Sequence, residues 1–399
     1  MCDRSKSFTL ATITGVPAPI PIMLMARELG PGGTERQLTE TGRALDPSLF
    51  DVHVACFREG IRSEELRRAG VHVLRIPVTS FMRPNALRGA WQLGAYLRAH
   101  GIQIVHTFDY PLNCFGVPVA RAFRTPVVLS SQRAHRDLVP GSYRKLLRFT
   151  DKLVDGIVVN SEAVRQDLVA NENLPAELLH LCYNGIDLSR FHPEARRRRP
   201  GLENASLVIG VVCVLRPEKG LPTLLKAFAQ STALDPNARL LIVGSGSELP
   251  GLQSLADQLG IRSRCVFQPA VSDVAPWMES IDVFVLPSLS EALSNSLMEA
   301  MAAGCTCIAS NTGGNPELVR PHNTGLLFEP GNADDLAAKL NAVIVNAQFR
   351  TELARSSTRL VHEQFSLPAS AARMTAIYRS FLEQKSAFLD RKRENQKAT

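Results

Sequence analysis

With 399 residues, 45% of them hydrophobic and 21% charged, the chain exceeds one ordinary core and reads as a globular protein of two domains. Its net charge of +7 is unevenly placed: 22 Lys+Arg stand against 17 Asp+Glu over 1–185, 5 against 3 over 186–205, and 18 against 18 over 206–399. Eight cysteines without a C-x-x-C pair argue against a disulfide framework or a zinc knuckle and point to a reducing compartment.

Residues 8–26 carry neither acid nor base until the chain reaches Arg27. Pro17, Pro19, Pro21 and Gly15 oppose a spanning helix there, and the stretch runs directly into a glycine loop, which a cleaved leader would not. The expectation is a tail over 1–19 and a first buried strand near 20–26. Short apolar runs then alternate with helical patterns. Strands are predicted near 21–26, 51–57, 71–77, 102–107, 126–131, 155–161 and 180–185, with helices such as 35–44 and 87–100 between them.

The segment 186–205 breaks this alternation with Pro193, Pro200, Gly201 and the basic run 196–199, and reads as a linker. The pattern restarts with strands near 206–215, 238–246, 265–270, 282–288 and 306–310, and is helical beyond 334, ending in a charged tail expected to fray from Arg391. The fold class is α/β: two Rossmann-like, doubly wound parallel sheets, over 20–185 and 206–370, facing across a cleft. Residues 371–399 are expected to form a C-terminal helix that packs back on the first domain. In such sheets ligands sit beyond the carboxyl ends of the strands.

The densest chemistry lies at 286–304. Glu291 stands in a loop, and Glu299 follows eight residues later in a helix that begins near Asn295. The free N–H groups of that helix start offer a seat for an anion. Two carboxylates about a phosphate suit a nucleotide sugar, with ribose, diphosphate and hexose in line. A structural alternative stands beside this one: Ser296-Leu297-Met298-Glu299 fits an S-x-x-E capping box.

Other loops point the same way. Gly30-Pro31-Gly32-Gly33-Thr34-Glu35 follows the first strand and opens a helix, so it fits a backbone approach to a ligand or merely a tight turn. Arg216 and Lys219 in RPEKG, at the end of a strand, supply cations for a diphosphate. Gly244 ends the next strand and admits a base or ribose. Gly313-Gly314-Asn315-Pro316 reads as a turn with Asn315 as helix cap, its N–H groups facing the same phosphate or only capping. No D-x-D and no cluster with ligand spacing occurs, so no catalytic metal and no cofactor is expected. The stretch 143–149, YRKLLRF, has the spacing of an interfacial helix or of ordinary amphipathic packing.

Taken in order, GG-T-E at 32–35, VVNSEAVRQDL at 158–168, YNGIDLSRFHP at 183–193, RPEKG at 216–220, E-x7-E at Glu291 and Glu299, TGGNPELV at 312–319 and GLLFEPG at 325–331 resemble the family 4 (group 1) glycosyltransferases, retaining enzymes of the GT-B fold. The resemblance implies that Glu291 contacts the donor sugar and Glu299 the ribose. It implies that Lys219 and the N–H groups of Asn295, Ser296 and Leu297 bind the diphosphate, and that Gly33 approaches it from the other domain. Departures are Val214 in place of the usual Arg, with Arg216 as its substitute; Ala292 in place of a Gly; and Phe108 and Gln132 near the points where a histidine is common. His106 and His135 are the nearby candidates for a sugar or acceptor contact.

The expected activity is transfer of a hexose, with retention, from a UDP- or GDP-linked sugar as co-substrate to a hydroxyl of a saccharide or lipid-linked acceptor, in polysaccharide or glycolipid synthesis. The alternatives are a nucleotide-sugar epimerase or a noncatalytic nucleotide-binding protein on the same fold. The basic first half favours an anionic membrane surface as partner, with the protein cytoplasmic and peripheral on the inner face of the membrane. No nucleic-acid partner is expected.

Overall fold

The computed structural model describes residues 18–81, 83–195, 197–231 and 234–397. The tail expected over 1–19 falls outside these residues except for its last two, as does Arg196 of the basic run.

In the first half the elements are β1 (Ile20–Glu28), α1 (Gly33–Ala44), β2 (Phe50–Arg58), α2 (Ile61–Arg68), β3 (His72–Arg75), α3 (Pro84–Ala99), β4 (Ile104–Thr107), α4 (Tyr110–Ala122), β5 (Val127–Gln132), α5 (Gly141–Thr150), β6 (Gly156–Val159), α6 (Glu162–Glu172) and β7 (Leu179–Leu181). In the second they are β8 (Val208–Val212), α7 (Leu221–Ser231), β9 (Arg239–Val243), α8 (Leu249–Gln258), β10 (Cys265–Gln268), α9 (Ala275–Met278), β11 (Val283–Leu286), α10 (Asn295–Ala302), β12 (Thr306–Ser310), α11 (Asn315–Leu318), β13 (Leu326–Phe328), α12 (Ala333–Val345), α13 (Ala347–Gln364) and α14 (Leu367–Lys397).

Two parallel sheets result, ordered β3-β2-β1-β4-β5-β6-β7 and β10-β9-β8-β11-β12-β13. Both change winding direction beside their first strand, which is the place where such sheets open a crevice. β1 is central, and its stretch Ile22 to Ala26 is fully buried, which explains an unbroken apolar run in place of alternation. The second sheet shows the same in β8 and β11, buried along their whole length.

The segment 186–205 is less of a free linker than its prolines suggest. Ile186, Phe191 and Leu202 enter the core of the second half. Arg198 bonds Asp282 at 2.7 Å, and Arg199 lies over the Trp277 ring. The chain crosses between the halves twice, and the two crossings bond each other: Ile186 N–H donates to the Phe365 carbonyl at 3.0 Å and Leu367 N–H to the Ile186 carbonyl at 2.9 Å. From there α14 returns to the first half, where Met374, Tyr378 and Phe381 are buried in its core. Helical geometry in α14 continues to Lys397. Among the described residues, no helix is long and apolar enough to cross a membrane.

Candidate active site

α10 begins at Asn295 because Ser294 caps it, its hydroxyl accepting from the Leu297 N–H at 3.2 Å. This corrects two expectations. The capping box on Ser296 does not form, so Glu299 has no part in capping, and the Leu297 N–H is already taken up. The N–H groups of Asn295 and Ser296 find no acceptor among the described residues, and they carry the positive end of the helix into the crevice.

Lys219 is brought to this point by a tight turn. Gly220 has φ +60, and a Cβ there would collide with the Pro287 carbonyl, so only glycine closes the turn beneath the 287–291 loop. The Lys219 ammonium then lies 2.6 Å from the Glu291 carboxylate, which also accepts from the Ser288 hydroxyl at 3.3 Å. Arg216 does not join them. It is largely exposed, and among the described residues its ion partner is Glu218, at 3.8 Å.

The Glu291 backbone is held from two sides. A Cβ on Gly313 would overlap the Glu291 carbonyl, and the Gly314 N–H donates to the Ala292 carbonyl at 2.9 Å. The Gly314 N–H is therefore spent on the 291–292 loop, where the sequence suggested a phosphate. Asn315 is not the cap of α11 either. Gly314 occupies that position, and the Asn315 amide donates to the Ser310 carbonyl at 3.0 Å. From the first half, His135 places Nε2 3.3 Å from the Glu291 carbonyl and Nδ1 3.2 Å from Asp167. Ala292, where the resemblance implied glycine, buries its methyl in the apolar cluster of the first half.

Glu299 is 3% exposed and pairs with Arg36 of α1 across the crevice. Burial raises the Glu299 carboxyl above the ordinary range, and the Arg36 guanidinium opposes this. Burial likewise works against the Arg36 charge, but Glu299 and Glu40 together hold it above its ordinary value. One residue on, the Gln37 amide donates to the Gly185 carbonyl at 2.9 Å and to the Asn295 side chain at 3.3 Å. Asn184 reaches Asn295 at 2.8 Å and accepts from Arg133 at 2.6 Å. Gly33 lets α1 come this close, since a Cβ there would lie 3.2 Å from the Asn295 amide nitrogen. Glu317 adds a further bridge, accepting from the Glu162 and Ala163 N–H groups at the start of α6 at 2.9 and 3.0 Å.

His106 is fully buried between the Tyr378 hydroxyl and Ser131 Oγ, both at 2.8 Å, and desolvation holds it well below the ordinary histidine pKa. It is a neutral core residue and lines neither of the two cavities of the first half. Gly244 ends β9 against the Cys213 carbonyl, which a Cβ there would strike. Asp109 and Arg133, which the sequence left unremarked, line the crevice as well. A cavity of about 250 Å³ opens beside Thr34 and Glu35, lined also by Asp109, Gln132 and Arg133. Asp109 is the cap of α4, and burial pushes its carboxyl up to about 6 although it accepts from the Arg27 and Leu112 N–H groups.

Two family models match in tandem: Glycosyltransferase Family 4 over residues 31–190 and Glycosyl transferases group 1 over residues 194–359. This chain is a family 4, group 1 glycosyltransferase. It is 26% identical over 296 residues to an uncharacterized glycosyltransferase of Methanocaldococcus jannaschii, covering 70% of this chain and 76% of that one. It is 32% identical over 237 residues to the D-inositol 3-phosphate glycosyltransferase of Rhodococcus opacus, covering 56% and 53%, so the alignment spans about half the length of that relative. Among solved structures, Anabaena HepE in complex with UDP and glucose superposes with a TM-score of 0.78 at 20% identity, over 90% of this chain and 99% of that one. That likeness establishes the two-domain GT-B fold.

Proposed function

We propose that this glycosyltransferase moves a hexose, with retention, from a nucleotide-diphosphate sugar to a hydroxyl of a saccharide or lipid-linked acceptor. The observation that carries the reading is the Lys219 ammonium 2.6 Å from the Glu291 carboxylate, beside the open start of α10 and opposite Gly33 of the other half. The diphosphate lies between the α10 N–H groups of Asn295 and Ser296 and Lys219. Glu299 receives the ribose hydroxyls, and Glu291 the hexose. As the bond from the anomeric carbon to the phosphate oxygen breaks, Lys219 and the helix start stabilise the charge that grows on the leaving oxygen. That oxygen takes the acceptor proton while the acceptor oxygen bonds the same face of the sugar. UDP bound with glucose in the Anabaena neighbour supports a uridine-linked donor.

The basic bias of the first half, together with α5, supports residence on the inner face of an anionic membrane. α5 exposes Leu146 and Phe149 among Arg144, Lys145 and Arg148. The test is a mass-spectrometric screen of UDP- and GDP-sugars against free and lipid-linked saccharides. A glycosylated acceptor is expected. Donor turnover to an isomer without any acceptor would instead establish an epimerase.

A further inference from the structure

Arg133, just past the end of β5, is a cation that forms no ion pair among the described residues. It lies over the Phe108 ring at 4.7 Å, and Nη1 donates to the Asn184 oxygen at 2.6 Å. Its Nε is buried and has no partner among the described residues. The polar groups that feel its charge are the Cys182 thiol, the Tyr378 hydroxyl and His106, all held neutral by burial. Asp109 and Glu35 line the same cavity but do not pair with it. Asp109 is spent on the Arg27 and Leu112 N–H groups, and Glu35 folds back over Gly32 onto its own N–H. Burial pushes the Arg133 guanidinium down to about 10, which still leaves it charged at neutral pH.

A desolvated cation without a counter-charge costs stability, and Gln or Met would fill the same space without that cost. The position of Arg133 says what answers its charge. The Asn184 amide that accepts from Arg133 donates in turn to Asn295, the first residue of α10, so two hydrogen bonds join the guanidinium to the phosphate seat. The same loop carries His135, 3.3 Å from the Glu291 carbonyl, which places it at the hexose end of that seat. The larger cavity of the first half, about 780 Å³ and reached past Tyr110 and Pro111, is not lined by Arg133. Across the crevice, cations are already spoken for. Lys219 is paired with Glu291 at 2.6 Å, and Arg36 with Glu299 and Glu40. Val214 stands where the resemblance implies an arginine, and Arg216 turns to Glu218. Of these cations, Arg133 alone is unpaired.

We infer that Arg133 binds the sugar-linked phosphate of the donor, reaching it from the first half and filling the role that an arginine in place of Val214 would fill from the second. The inference rests on the transferase reading above. A guanidinium fork presents paired N–H donors to phosphate oxygens, and the free Nε edge of Arg133 is open to such a pair. Charge growing on the leaving oxygen is then met from both halves, by Lys219 on one side and Arg133 on the other.

The probes are UDP, UMP, GDP and GMP, titrated calorimetrically into the full chain and into its Arg133→Gln and Arg133→Met variants. The parent chain is expected to bind a nucleoside diphosphate about tenfold or more tighter than its monophosphate, the weight of one charge-assisted contact. Both variants are expected to stay folded and to bring that ratio to about threefold or less, with monophosphate affinity unchanged. A residue that only holds Asn184 in place would weaken both nucleotides alike and leave the ratio standing, and that result overturns the proposal. So does unfolding of both variants, since the charge would then serve the fold. A parent chain that binds none of the four nucleotides overturns the transferase reading and this inference together. A diphosphate preference that survives in both variants overturns only the role of Arg133.

Discussion

Arg36 of the first half and Glu299 of the second form a buried ion pair across the crevice, 13% and 4% exposed at their side chains, with Glu40 bonded to the same guanidinium at 2.9 Å. Removing one member leaves a desolvated charge without its partner, which costs about 3–5 kcal/mol in comparable sites. Arg36→Met is therefore expected to lower the urea midpoint strongly and to weaken nucleotide binding, because Glu299 then turns or protonates. The double substitution Arg36→Met/Glu299→Met is expected to be more stable than Arg36→Met alone. Strictly additive losses in the denaturation curves would show that the two residues do not act as a pair.

Lys219 and Glu291 are predicted to govern rate more than folding. Both lie partly open to the crevice, so Lys219→Ala and Glu291→Gln should melt within a few degrees of the parent chain. Loss of one group that stabilises the developing charge is expected to lower kcat by about 100-fold to 1,000-fold. Steady-state kinetics with the identified donor checks this. Full activity in both variants would remove the pair from the mechanism.

The fold was legible because parallel strands buried on both faces leave unbroken apolar runs, and IPIMLMA and SLVIGVV announce the first strands of both sheets. The E-x7-E spacing and RPEKG likewise mark the donor side. What could not be read is which hydrogen bonds the loops make with each other. Gly313 and Gly314 look like phosphate binders until the Glu291 and Ala292 carbonyls are seen against them. His106 looks like a ligand until Tyr378, 272 residues away, closes over it. Arg36 and Gln37 follow the GG-T-E motif and Asn184 lies in YNG, but their partners, Glu299 for Arg36 and Asn295 for the other two, lie in the other domain, and such pairing has no local signature. Asp109 reaches the crevice through strand order, which composition does not carry.

Among the described residues, His135 meets the 287–291 loop through the Glu291 carbonyl, and we predict that it acts by positioning that loop. His135→Ala is expected to lower kcat about tenfold with little change in donor KM, since the loop loses one of its braces while the diphosphate seat stays whole. The KM-against-kcat split is the deciding readout. An equal rise in KM with kcat unchanged would place His135 in ground-state binding instead.

Asp109 gives a pH signature of its own. Its carboxyl titrates near 6 in the fold, against an ordinary value of 3.8, because burial disfavours the anion. The native state thus binds this proton more tightly than the unfolded chain does. The stability it contributes is present in full below about pH 4 and is lost as the pH rises through about 6. At about 1.4 kcal/mol per pKa unit, the loss is on the order of 2–3 kcal/mol. Asp109→Asn keeps an oxygen for the Leu112 N–H but has no proton to lose, so it lacks this dependence. Urea denaturation of both chains at pH 4, 5, 6 and 7 isolates the effect, because every other group titrates alike in the pair. The difference in unfolding free energy, parent minus variant, is expected to fall between pH 4 and pH 6 and then to level off. A difference that does not change with pH would mean that the Asp109 carboxyl is solvated like any surface acid.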